Sequence, residues 1–130
     1  MSMQQGLAAL QHGFVPEPGC VLLRPSDGHQ RVVVAVGSAE PYIWHSTGIG
    51  ILKTAIDDLG PELFPDFSCG STQGLLLDQS RRLRSDPDLV ALRRGDGRWH
   101  VQGNRHCGRS GDGCLFDTEV DALIDVLRRG

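Results

Sequence analysis

The sequence is poor in the residues that mark several common protein classes. It has a single lysine and a single tyrosine, and aromatic residues make up only 5% of the chain. No run of about 18 apolar residues occurs, so we expect no membrane-spanning segment. The first residues, MSMQQGLAALQHG, lack the basic start of a secretion signal. We therefore expect a soluble, cytoplasmic protein whose four cysteines are reduced thiols.

What is present is ordinary for a globular protein. Apolar residues make up 39% of the 130 residues and charged residues 22%, while seventeen glycines and seven prolines indicate many tight turns. This length is enough for one hydrophobic core but leaves no room for two. We expect a single globular domain over residues 1–130.

The stretch from Pro41 to Gly60 predicts a short strand that turns directly into a helix. Residues 42–44 are strand formers, and Ser46 or Thr47 is a suitable cap for a helix that starts near residue 48. Four apolar residues then recur at helical spacing: Ile49, Leu52, Ile56 and Leu59. We expect these four side chains to seal the interior. Glycines 48 and 50 would offer amides to an anion at the helix start, but close packing explains them better.

The remaining segments complete the predicted fold. Two helices, two hairpins and one ambiguous segment are expected: a helix near 2–12, a hairpin of 20–23 and 31–36, a segment 74–83 that fits strand or helix, a hairpin of 89–94 and 98–102, and a final helix capped by Asp117 or Thr118. Phe64 and Phe67 are expected to anchor an irregular segment to the core. The order predicts an α+β fold with a mostly antiparallel sheet of about five strands and two to four helices.

Charge is unevenly distributed along the chain. Net charge is −3, yet residues 81–109 carry eight arginines and only three aspartates. This polarity suits an acidic protein partner. The acidic balance and the single lysine argue against nucleic acid. The candidate binding residues are Arg93, Arg94 and Arg98 together with Trp44 and Trp99, provided that the two tryptophans lie at one sheet edge.

A glycine-rich segment near the end offers ligand types that zinc prefers. These residues are His100, His106, Cys107 and Cys114. The Cys-x6-Cys spacing differs from the short knuckle of most structural zinc sites, and a surface loop with incidental thiols explains it better. We expect no cofactor.

A third set of residues resembles the sheet region of NlpC/P60-type papain-like thiol hydrolases. The similar stretches are 18–23, 28–37 and 42–46, read as Pro-Gly before a strand, a histidine that opens the next strand, and a polar residue that closes the one after. The resemblance implies that His29 is the base and His45 orients it. The family's nucleophilic cysteine lies upstream of these strands, where this chain has none. A permuted arrangement would place it at Cys69, before a helix that begins near Gly70.

Two functions follow as hypotheses. The first is a small non-catalytic protein that binds a macromolecular partner, of the bacterial immunity-protein or phage-inhibitor type. The alternative is a thiol hydrolase acting on amide or ester bonds with Cys69, His29 and His45. The alternative requires the Cys69 sulfur to lie within about 4 Å of an imidazole nitrogen.

Overall fold

Residues 2–37, 41–47, 49–103 and 115–129 are described by the computed structural model of the chain. They contain three α-helices, a five-stranded antiparallel sheet and a two-stranded sheet. The predicted α+β class is therefore confirmed. The chain divides into two compact units, Met1–Leu75 and Leu76–Gly130. The prediction that residues 1–130 form one globular domain stays a prediction.

The first unit is built on the five-stranded sheet. Its elements are α1 (Ser2–Gln11), β1 (Val21–Arg24), β2 (His29–Val36), β3 (Tyr42–Ser46), β4 (Ile51–Ala55), a 3₁₀ turn (Ile56–Asp58) and β5 (Phe64–Pro65). The strand order is β4-β3-β2-β1-β5, and every neighbouring pair is antiparallel. A further helix, α2 (Gly70–Arg84), begins in this unit and ends in the second.

The β1–β2 hairpin follows from its turn sequence, as predicted. The turn Pro-Ser-Asp-Gly has Asp27 accepting a hydrogen bond from the His29 N–H at 2.9 Å. Gly28 has a φ of 68°, which a residue with a side chain rarely adopts. Its N–H donates to the Arg24 carbonyl at 2.8 Å. Local turn chemistry therefore fixes the register of the two strands.

The helix predicted over residues 49–59 is wrong. Residues 51–55 form β4, which pairs with β3 in the register Ser46↔Ile51 through Tyr42↔Ala55. A turn joins the two strands, and in it the Thr47 N–H and hydroxyl both donate to the Gly50 carbonyl, at 2.8 and 3.1 Å. Thr47 therefore closes a turn instead of capping a helix. Gly48 of the candidate anion site lies outside the described residues.

The predicted inward stripe of this segment fails with the helix. Ile49 is 100% exposed and Leu52 is 50% exposed. Their three- and four-residue spacing is compatible with a helix, but the backbone groups of this segment find their partners across the sheet, on β3. Strand pairing with β3 thus outweighs the helical spacing of the apolar residues. The fold class survived because other residues supply the core.

That core of the first unit is made largely of phenylalanines and strand residues. The fully buried side chains include Phe14, Phe64, Phe67, Leu22 and Ile43. Phe14 and Phe67 meet edge to face, with ring centroids 5.3 Å apart. At about 1.5–3 kcal/mol per buried side chain, each of these residues contributes to the hydrophobic stabilisation of the unit. The predicted anchoring roles of Phe64 and Phe67 are confirmed.

The second unit contains the remaining strands and helix. These are β6 (Val90–Arg93), β7 (Trp99–Gln102) and α3 (Glu119–Arg129), with most of α2. The predicted hairpin and final helix are confirmed, and the ambiguous segment 74–83 belongs to α2. The Thr118 hydroxyl accepts a hydrogen bond from the Asp121 N–H at 3.1 Å, which caps α3. The inward stripe of α3 is buried as expected: Val120, Leu123, Ile124 and Leu127.

Within the described ranges, no helix combines the length and the apolar character needed to cross a bilayer.

Candidate functional sites

The candidate nucleophile Cys69 immediately precedes α2, as the resemblance implied. The Gln30 side-chain amide donates to its sulfur at 3.3 Å, and the Asp66 carboxylate lies 3.8 Å from it. The same Gln30 amide also donates to Asp66 at 3.2 Å. The thiol is partly exposed. Its polar surroundings are therefore an amide and a carboxylate.

Neither candidate histidine joins this group. His29 is exposed and precedes Gln30 in β2, so the two side chains leave opposite faces of the strand. His45 is 2% exposed, and its Nε2 lies 2.8 Å from the Thr54 hydroxyl. Among the described residues, neither imidazole hydrogen bonds to the Cys69 thiol. The hydrolase hypothesis thus lacks a hydrogen-bonded histidine at the sulfur within the described residues, and it stays a hypothesis.

Sequence reasoning did not identify Gln30 or Asp66 as neighbours of Cys69. Gln30 directly follows His29, the histidine that opens the strand, and lies 39 residues before Cys69. Asp66 precedes Cys69 by three residues, and its carboxylate also accepts from the Ser68 N–H at 3.1 Å and from the Ser68 hydroxyl at 2.6 Å. This Asp-x-Ser turn is a local signal that an Asx motif would have predicted.

The possible zinc ligands are only partly described. His100 lies in β7 and is half-buried. His106, Cys107 and Cys114 lie outside the described residues. Within the part of the chain that is described, no three His, Cys, Asp or Glu residues come together as a metal site would require.

The two tryptophans lie in different sheets. Trp44 belongs to β3 of the five-stranded sheet and Trp99 to β7 of the two-stranded sheet. The condition that they share one sheet edge is therefore not met. Trp44 is half-buried, and the Lys53 ammonium lies 5.6 Å from its ring centroid and 4.2 Å from that of Tyr42. These distances are within the range of cation–π attraction.

Trp99 shares the β6–β7 hairpin with the three candidate arginines. Arg93 is the cross-strand partner of Trp99, so their side chains leave the same face of the hairpin. Arg94 and Arg98 flank the turn, where the Arg94 N–H donates to the Arg98 carbonyl at 2.7 Å. All three arginines are exposed, and Leu92 beside them is 41% exposed.

The hairpin arginines differ from the helical arginines in their ion pairing. Arg82 pairs with Asp78 at 3.1 Å on α2, and Arg129 pairs with Asp125 at 2.8 Å on α3. Within the described ranges, no carboxylate forms an ion pair with Arg93, Arg94 or Arg98. Asp96 in the same turn accepts the Arg98 backbone N–H at 3.0 Å. Among the described residues, the hairpin therefore presents a local excess of positive charge with no ion-pair partner.

Comparison with known proteins adds no relative: no family model, no curated protein and no solved structure matches the chain. The resemblance to NlpC/P60-type hydrolases stays a hypothesis.

Proposed function

We propose that this chain is a non-catalytic protein that binds a partner protein through the β6–β7 hairpin, and that the partner offers an acidic surface. The observation that supports the proposal most directly is the set of exposed arginines at 93, 94 and 98 beside Trp99, none of which forms an ion pair within the described ranges. Small size and uneven charge are typical of immunity proteins and phage-encoded inhibitors, which act by blocking a partner. We place the function in that class.

The chemistry of the hairpin suits a protein interface. Tryptophan and arginine are the residues that most often dominate binding energy at such surfaces. An arginine already paired on its own helix must break that pair before it can bind a partner, whereas the hairpin arginines have no such cost. Their charge would also accelerate encounter with an acidic surface, an effect that salt screens.

The test compares two triple variants of the full chain. In the hairpin variant, Arg93, Arg94 and Arg98 become glutamine. In the control variant, Arg82, Arg128 and Arg129 become glutamine, which removes the same charge from helices where aspartates already pair with these arginines. The partner is first captured from a lysate and identified, and binary dissociation constants are then measured by calorimetry with purified proteins.

We expect the hairpin variant to bind at least about 10-fold more weakly and the control to change less than about 3-fold, because three interface charges contribute several kcal/mol between them. Affinity of the unsubstituted protein should also fall between about 0.05 and 0.5 M salt. Equal losses in the two variants, or full affinity in the hairpin variant, would overturn the proposal. Cys69→Ser should bind normally, whereas the hydrolase hypothesis expects that variant to lose activity on its substrate.

A further inference from the structure

A pocket of about 550 Å³ lies at the end of the five-stranded sheet, between the β1–β2 turn and the turn that joins β3 to β4. One wall is polar and comprises Arg24, Asp27, His29 and Arg31. The opposite wall is apolar and includes Ile49 and Leu52, which are 100% and 50% exposed. Every residue of this pocket belongs to the Met1–Leu75 unit.

Arg31 is the unusual residue of the pocket. It is only 7% exposed, although arginine is almost never buried without a partner. Its Nη2 lies 3.4 Å from an Asp27 oxygen, which is a long contact for an ion pair. Its Nε is buried and has no hydrogen-bond partner in the described part of the chain. At least this one of the five guanidinium N–H donors is therefore unused.

Asp27 compensates for this charge only in part. Its carboxylate is engaged by the His29 backbone N–H, a hydrogen bond that lowers the pKa of Asp27 below its usual value. One aspartate faces two arginines in the pocket wall, since Arg24 lines it as well. The wall therefore keeps a net positive charge, and a buried cation with an unused donor is costly unless an anion completes it.

The positive charge of Arg31 also affects His45, a buried histidine near the pocket. Burial and the nearby Arg31 charge both lower the pKa of His45. Its Nε2 is engaged by Thr54, while its Nδ1 is buried without a partner in the described residues. The interior at this end of the sheet thus holds an arginine and an imidazole whose pKa that arginine helps to lower.

We propose that this pocket binds a small organic oxyanion, with its carboxylate or phosphate on the Arg31 guanidinium and its apolar substituent against Leu52 and Ile49. Arginine suits both head groups because its planar fork donates two parallel hydrogen bonds. We expect the ligand to have an apolar part because covering the exposed leucine and isoleucine would remove apolar surface from water. A purely inorganic anion would leave that wall exposed.

The experiment titrates the full chain with four defined probes and follows backbone amide NMR shifts. The probes are hexanoate, hexyl phosphate, 1-hexanol and inorganic phosphate. We expect the two hexyl anions to shift the amides of residues 24–31 and 47–52 and to bind at least about 10-fold more tightly than hexanol or inorganic phosphate. Tight binding of only one hexyl anion would support the proposal and identify the head group as carboxylate or phosphate.

Substitutions separate the two walls. Arg31→Gln should weaken both hexyl anions at least about 10-fold, and Leu52→Ser about 3- to 10-fold, because the first removes a charged donor and the second apolar contact. As controls, Arg93→Gln and Leu92→Ser change the same residue types on the β6–β7 hairpin and should leave the affinity for the hexyl anions unchanged. Should Arg31→Gln not fold, Arg31→Lys keeps the charge, loses the fork and is expected to weaken binding by a smaller factor.

The signal of His45 provides an independent measure. Because an anion at Arg31 would offset the repulsion that Arg31 exerts on a protonated imidazole, the pKa of His45 should rise when hexanoate binds. The proposal is overturned if the hexyl anions shift no pocket amides at millimolar concentration, if hexanol binds as well as hexanoate, or if the hairpin controls lose as much affinity as Arg31→Gln. Partner binding by the hairpin is measured separately, so either proposal can fail alone.

Discussion

Two helical glycines are expected to respond in opposite directions to the same substitution. Gly6 lies in α1 and Gly74 in α2. In a helix interior, Gly→Ala stabilises by about 0.5–1 kcal/mol because glycine loses more backbone entropy on folding. A Cβ at Gly74 meets no atom within 4 Å. We therefore expect Gly74→Ala to gain that full amount.

At Gly6 the added carbon has no room. It would lie 2.6 Å from the Pro65 carbonyl oxygen and 3.0 Å from a ring carbon of Phe64. The clash is with backbone, so α1 must move away from β5 by about 0.5–1 Å, and a gap of that size forfeits a quarter to a half of each contact's attraction. Overpacking of this kind costs about 1–3 kcal/mol. After the helix gain is subtracted, Gly6→Ala should lose about 0–2.5 kcal/mol.

The measurement is urea unfolding of both variants and the unsubstituted protein, followed by circular dichroism. The free energies of unfolding of Gly6→Ala and Gly74→Ala should differ by about 2 kcal/mol. The slope of the free energy of unfolding against urea concentration should be the same for both variants. Gly6→Ser, whose Cβ lies in the same position, should lose at least as much as Gly6→Ala. If Gly6→Ala stabilises the protein as Gly74→Ala does, the close packing of α1 on β5 is refuted.

Two further predictions concern buried titratable groups. Cys20 is fully buried, and desolvation raises the pKa of its thiol to about 12. In a variant with Cys107 and Cys114 replaced by serine, a thiol reagent should modify Cys69 in the folded protein but Cys20 only in denaturant. Equal modification rates for the two thiols in the folded protein would contradict the burial of Cys20. The pKa of His45 lies below its ordinary 6.5 because of burial and the Arg31 charge, so the unfolded chain binds more protons below that pH and the free energy of unfolding should fall as pH drops below 6.5. His45→Gln should flatten part of this acid slope in pH-dependent urea melts; an unchanged slope would show that His45 does not contribute.

The sequence by itself determined the elements whose signals are local. The Pro-Ser-Asp-Gly and Gly-Asp-Gly turns specify both predicted hairpins, because the turn residues hold the required backbone conformations with their own side chains and glycines. The cap at Thr118 and the apolar stripe of α3 likewise specify that helix within about a dozen residues. These patterns need no distant partner to be read.

Tertiary structure decided the features that depend on distant partners. Residues 51–55 fit a helix by spacing, and only pairing with β3 makes them a strand. The local sequence does not reveal this pairing, because the hydrogen-bond partners lie on another strand. The same holds for Cys69, whose neighbour Gln30 is far away in sequence, and for Arg31, whose burial depends on the fold around it. Charge and residue type are therefore read from the chain, but what each side chain meets is fixed by packing.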